Sequence, residues 1–187
     1  MSTQRRVAVL VGSLRKESLN RRMALAMAKA APPSLKLEIV EIGELPHYNE
    51  DLEKGATPAA WTAFRNQVKA ADAVLFVTPE YNRSVPGALK NAVDVGSRPY
   101  GSSVWNGKPG AVVSVSPGAI GGFGANHHLR QSLVPLNVPM LQQPEAYIGN
   151  AGDLFDAAGE IKKPDTHEFV QKFMQAFETW VATNAKK

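Results

Sequence analysis

Three short stretches concentrate the side chains able to do chemistry. Gly12-Ser13-Leu14-Arg15-Lys16-Glu17-Ser18-Leu19-Asn20 gathers two hydroxyls, an amide and a guanidinium around what reads as a helix start. A helix start offers unpaired N–H groups and the positive end of the dipole, so it favours a phosphate, to which Arg15 can add a charge-assisted bond. On residue types alone, Ser18 suits a simple N-cap equally well, with Arg15 solvated. Thr78-Pro79-Glu80-Tyr81-Asn82-Arg83-Ser84-Val85-Pro86-Gly87 sets polar groups between two prolines. Such a constrained turn can aim N–H groups at the polar edge of a heterocycle, although an ordinary proline-bounded turn fits the same residues. Ser116-Pro117-Gly118-Ala119-Ile120-Gly121-Gly122-Phe123-Gly124 carries four glycines. They permit close approach of backbone to a flat ligand, or simply a flexible turn before the next helix.

Several familiar chemistries are excluded by spacing. The first stretch has one glycine where the dinucleotide fingerprint needs three, and it lacks Gly-Lys-Ser/Thr. Gly122-Phe123-Gly124 begins a G-x-G-x-x-G pattern, but its third position is His127. Ser114 and Ser116 lack the Gly-x-Ser-x-Gly elbow of hydrolases. His127 and His128 are adjacent, so on a helix they point about 100° apart and cannot chelate one metal. His47 and His167 stand in unrelated segments, and no metal site is expected. No acid–base constellation emerges, which points to a cofactor that performs the reaction.

The elements around these stretches alternate between strand and helix. Arg6–Val11 and Ala73–Val77 read as buried strands, Leu37–Ile42 and Ala111–Val115 as two more, and a fifth lies between Val138 and Ile148. Helical spacing recurs in Leu19–Ala30, from Pro58 through Ala71, from Val85 to Gly96 with Pro86 in the first turn, and in Ala125–Leu136. Phe169, Val170, Phe173, Phe177, Trp180 and Val181 mark a C-terminal helix, while Gly43–Gly55 reads as loop. Fivefold alternation predicts right-handed crossovers and a parallel sheet covered on both faces. All three reactive stretches then leave carboxyl ends of strands, where such sheets bind ligands. The chain reads as one domain over residues 1–187.

Composition agrees and excludes more. The 187 residues are 44% hydrophobic and 20% charged, which excludes global disorder, and no apolar run is long enough for a membrane span. The basic Met1–Arg6 stretch leads into an apolar run cut short at Gly12, so no signal peptide is expected. Zero Cys removes disulfides and thiolate chemistry and fits a cytoplasmic location. A net charge of +4 is mild, and Arg5-Arg6, Arg21-Arg22 and Lys186-Lys187 are too short for a nucleic-acid footprint.

Taken together, the three stretches resemble the NADPH-dependent FMN reductase family, and most closely its bacterial chromate and quinone reductase branch. The first resembles that family's phosphate loop. The second, continued through Ala88-Leu89-Lys90-Asn91-Ala92, resembles its flavin-edge motif, and the likeness extends through Ser114–Gly122 and Leu129-Arg130-Gln131. The resemblance implies an α/β, flavodoxin-like three-layer sandwich with a five-stranded parallel sheet in the order 2-1-3-4-5. It implies FMN phosphate held by the loop of Ser13, Arg15, Ser18, Leu19 and Asn20. It implies isoalloxazine contacts from Pro79, Glu80, Tyr81, Asn82, Ser116 and Gly118. NADPH or NADH is the implied donor; quinones, flavins or chromate are implied acceptors, and no catalytic side chain is assigned. Dimers or tetramers are implied, with Arg130 and Glu145 meeting at the tetramer contact. A flavodoxin-like electron carrier serving protein partners is the alternative, but such carriers are usually strongly acidic, unlike this chain.

Overall fold

The computed structural model describes residues 4–185. Met1–Thr3 and the basic pair Lys186-Lys187 lie outside the described residues. The elements run β1 (Arg5–Val11), α1 (Leu19–Ala30), β2 (Leu35–Ile39), α2 (Glu50–Lys54), α3 (Ala59–Lys69), β3 (Ala73–Thr78), α4 (Gly87–Gly96), β4 (Gly110–Val115), α5 (Phe123–Leu133), β5 (Ala146–Ile148) and α6 (Pro164–Asn184). The five strands form one sheet in the order β2-β1-β3-β4-β5, and every pairing is parallel. This is the expected three-layer flavodoxin-like arrangement.

Alternation along the strands divides the core into two. Val7, Val9 and Val11 of β1 pack with Leu75, Val77, Val113 and Val115 beneath α1 and α6, which contribute Met23, Met27, Phe173 and Phe177. Ala8, Leu10, Val74, Phe76 and Val112 face the other way, onto Trp61, Phe64 and Val68 of α3, Leu89 and Val93 of α4, and Leu129 and Leu133 of α5. Successive side chains of a strand point to opposite faces, so a strand buried on both sides must be apolar throughout. β3 and β4 are buried at every position.

Several boundaries differ from the sequence reading, and four of the differences have a clear local reason. β2 is Leu35–Ile39 rather than Leu37–Ile42, because a tight Pro32–Ser34 turn starts the strand early. Val40 still donates to the Val9 carbonyl, but it and Ile42 belong to the second core as loop residues. Gly43–Gly55 is not all loop. Asn49 accepts a bond from the Asp51 amide and starts the short helix α2. Arg65 then grips that helix through Glu53 at 2.5 Å and donates from Nε to the Val95 carbonyl. Pro86 is the N-cap of α4 and stands just before its first turn. α5 stops at Leu133 and continues only as a 3-10 turn, Val134–Leu136, because Pro135 has no N–H to give.

Candidate functional site

Strand order reverses between β1 and β3, so the loops leaving their carboxyl ends flank a crevice. The three reactive stretches follow β1, β3 and β4, and the structure ties them together at that edge. The Gly12 amide donates to the Val77 carbonyl at 2.9 Å, Asn20 Nδ2 to the Val115 carbonyl at 3.2 Å, and the Ala125 amide to Glu80 Oε2 at 3.0 Å.

In the first loop, Ser18 is the N-cap of α1, its Oγ accepting from the Arg21 amide at 3.1 Å. That leaves its O–H as a donor, beside the first amides of α1, which have no intrahelical acceptor. Ser13 and Ser18 are buried, whereas Arg15 is exposed and makes no ion pair among the described residues. Asn20 is buried, and its Oδ1 is an acceptor with no partner among the described residues. The Val115 carbonyl fixes the amide's orientation, because turning it would set oxygen against oxygen. A buried orphan acceptor of this kind costs roughly 1–3 kcal/mol unless a ligand supplies a donor. Donors for an oxyanion at Ser13, Ser18 and Arg15, beside one acceptor suited to a hydroxyl, fit a phosphorylated polyol such as the FMN tail.

The second loop is a two-residue hairpin. The Tyr81 and Ser84 amides each donate to the other's carbonyl at 3.0 Å, and Asn82 and Arg83 have φ of 49° and 64°. Both central residues are left-handed, as a type I′ turn demands. Asn82 tolerates that well; Arg83 costs about 1 kcal/mol. The Glu80 side chain is engaged within the protein. Its carboxylate does not face an open crevice, being held by the Ala125 amide and by Arg83 Nη1 at 3.3 Å. Only its backbone remains for a ligand.

The third loop is also held together internally. Ser116 Oγ accepts from the Gly118 amide at 3.1 Å, which leaves its O–H as a donor. Glycine at 121 answers the protein rather than a ligand: φ is +66°, and a Cβ would stand 2.7 Å from the Tyr147 carbonyl carbon. At 124 a Cβ would lie 2.8 Å from the Arg83 carbonyl oxygen and 2.9 Å from Glu80 Oε2.

One support was missed by sequence reasoning. Asn126 is fully buried beneath the glycine loop and donates to the Ala146 carbonyl at 3.3 Å and to Ser114 Oγ at 3.4 Å. Its Oδ1 accepts from Arg130 Nε at 2.9 Å; the i, i+4 spacing of Asn126 and Arg130 was the available signal. Arg130 also donates to the Leu141 carbonyl, and no ion pair joins it to Glu145 among the described residues.

Nearby, Tyr147 Oη lies 2.9 Å from His127 Nε2, and its ring meets Phe123 at 5.3 Å. Burial, reinforced by the Glu145 carboxylate, pushes the Tyr147 phenol from 10.0 up to about 12. A raised folded value favours the neutral phenol. Its stabilisation is complete below pH 10 and is lost as the pH rises through about 12. An alkaline titration of phenolate absorbance should show one tyrosine ionising last, and Tyr147→Phe should remove that step. Loss of a different step would reject the assignment.

No three acidic or imidazole groups cluster as metal ligands, and no helix is long and apolar enough to cross a membrane, among the described residues. Fold and site together define a flavodoxin-like protein with a cluster of hydrogen-bonding groups at the sheet's switch point. Residues 5–153 match the NADPH-dependent FMN reductase family, and the chain belongs to it. FMN is accordingly its cofactor and NAD(P)H its donor. It is 63% identical over 184 residues to a quinone reductase of Pseudomonas putida, with 98% of each chain covered. It is 46% identical to a 2-hydroxy-1,4-benzoquinone reductase of a Burkholderia species, covering 94% of this chain and 96% of that one. The structure of FerB, an NAD(P)H:(acceptor) oxidoreductase from Paracoccus denitrificans, superposes with a TM-score of 0.92 at 41% identity, covering 97% of this chain and all of that one.

Proposed function

We propose that the chain is a cytoplasmic NAD(P)H-dependent quinone reductase, acting as one FMN-binding domain. The carrying observation is the rim of the crevice. Leu14, Tyr81, Ile120 and Phe123 come from all three loops and are 57%, 47%, 57% and 47% exposed. An apolar rim of this kind suits a flat, uncharged acceptor such as a quinone or flavin better than a compact oxyanion such as chromate. Relatives named as quinone reductases favour the same acceptor. The electron-carrier reading lacks the acidic surface that docking on a protein partner would use.

When bound, FMN supplies the hydride and electron chemistry that no side chain here can perform. The residues supply binding and aim. Ser13, Ser18, Arg15 and the Leu19 and Asn20 amides would hold the phosphate. Pro79, the Glu80, Tyr81 and Asn82 backbone, Ser116 and Gly118 would border the ring. Donor and acceptor use one open face in turn, because the described residues hold no dinucleotide fingerprint for a second site. Initial rates with NADPH and benzoquinone should give parallel double-reciprocal lines. Intersecting lines would overturn the shared face.

Two residues give narrower tests. Arg15→Ala should weaken FMN binding by about 1.5–3 kcal/mol, since it removes a charge-assisted contact with no other partner to release. Fluorescence titration of the apoprotein reads this, and an unchanged Kd would reject the phosphate role. In the tetramer we propose, Arg130 and Glu145 meet across the dimer–dimer contact. Light scattering of Arg130→Ala should show dimers, whereas an intact tetramer at low concentration would exclude the contact.

A further inference from the structure

We infer that Glu80 is a positioning residue: its carboxylate locks the hairpin Tyr81–Ser84 to the first turn of α5 and so fixes the two walls of the crevice relative to each other. This rests on the FMN reading of the site but concerns a side chain to which that reading gives no work. The hairpin alone has little to hold it. Its two backbone bonds are internal, both central residues are left-handed, and Tyr81, Asn82 and Arg83 are exposed. The glycine loop is also irregular, entering α5 through a left-handed Gly122 that offers no side-chain cap.

Glu80 answers both deficits with one group. Its side chain is 13% exposed, and Oε2 accepts from the amide of Ala125, one of the unpaired N–H groups at the start of α5. A carboxylate at that position also meets the positive end of the helix dipole. Oε1 accepts from Arg83, which bends back over its own turn and is 71% exposed. Gly124 completes the lock, since the Arg83 carbonyl and Glu80 Oε2 occupy the space that any Cβ there would need. His128 Nδ1 and Ser84 Oγ, 3.0 Å apart, form a second and exposed link between the same two elements. The exposed link is the weaker one, because water competes for it.

The lock makes a specific demand. The Ala125 bond needs an acceptor oxygen at position 80 but not a charge; the Arg83 pair needs the charge but lies in solvent. The test compares Glu80→Ala, Glu80→Gln and Arg83→Ala by FMN titration and by amide hydrogen exchange in the FMN-free protein. Glu80→Ala should raise the Kd for FMN roughly ten- to a hundredfold and speed exchange at Ala125 and Ser84 by a similar factor. Glu80→Gln keeps an oxygen for Ala125 and should restore binding to within about threefold of wild type, and Arg83→Ala should match it. Should Glu80→Ala fail to fold, Gly124→Ala parts the lock from the other side and should give the same faster exchange. Wild-type binding and exchange in Glu80→Ala would overturn the inference, as would a Glu80→Gln variant as weak as Glu80→Ala. Failure of the wild type to bind FMN would instead reject the cofactor reading, and the exchange result would still stand or fall by itself.

Discussion

Gly121→Ala is expected to bind FMN about a hundredfold more weakly than the wild type while keeping a cooperative melt at nearly the same temperature. Two costs coincide at this position. Alanine at φ +66° pays about 1 kcal/mol for the left-handed conformation. Its Cβ would also stand 2.7 Å from the carbonyl carbon and 2.8 Å from the carbonyl oxygen of Tyr147, a residue of β5. A strand paired to β4 through Ala146, Tyr147 and Ile148 cannot retreat, so the glycine loop must. Overpacking of this kind costs about 1–3 kcal/mol. Pro117 through Ile120 are exposed, so the loop can relieve the strain by shifting outward without unfolding the sheet. A total near 3 kcal/mol then appears as a smaller population of the binding-competent loop, which is about two decades in Kd. Fluorescence titration beside a thermal melt separates the two effects. Wild-type affinity in Gly121→Ala would show that this loop does not border the cofactor.

Trp105→Ala should cost about 3–5 kcal/mol in urea unfolding, a large loss for a residue in a connecting segment. Trp105 lies in the connection between α4 and β4, yet it is wholly buried. Its ring meets Phe76 at 5.7 Å and Phe64 at 6.2 Å, joining the centre of the sheet to α3. Its Nε1 donates at 2.9 Å to the Val93 carbonyl, which also accepts from the Ser97 amide at 3.1 Å at the end of α4. The substitution therefore leaves a cavity and removes one of the two hydrogen bonds to that carbonyl. Tyr100, in the same connection but 92% exposed, is the control, and Tyr100→Ala should shift stability by under about 0.5 kcal/mol. Equal midpoints for the two variants would refute this account of the connection.

The sheet was legible in the sequence because a strand buried on both faces has no choice of residue type. Ala73–Val77 and Ala111–Val115 could be little else, and turn residues set them apart from amphipathic helices such as Phe169–Val181. The three reactive stretches were legible for a related reason, since glycine, proline and clustered polar residues mark chain that leaves a sheet. What those side chains do was decided by tertiary contacts. Glu80 finds its partner 45 residues away at Ala125, and Gly121 is required by the backbone of Tyr147. Trp105 looks like a loop aromatic until α3, α4 and β3 close around it. Periodicity reports only which side of an element faces the core. It cannot say which distant carbonyl, amide or ring will be waiting there, because that depends on the crossings that bring separate elements together. The sequence by itself thus determined the layers and the edge at which the site lies, and the tertiary structure decided which polar groups there are already spent and which remain for a ligand.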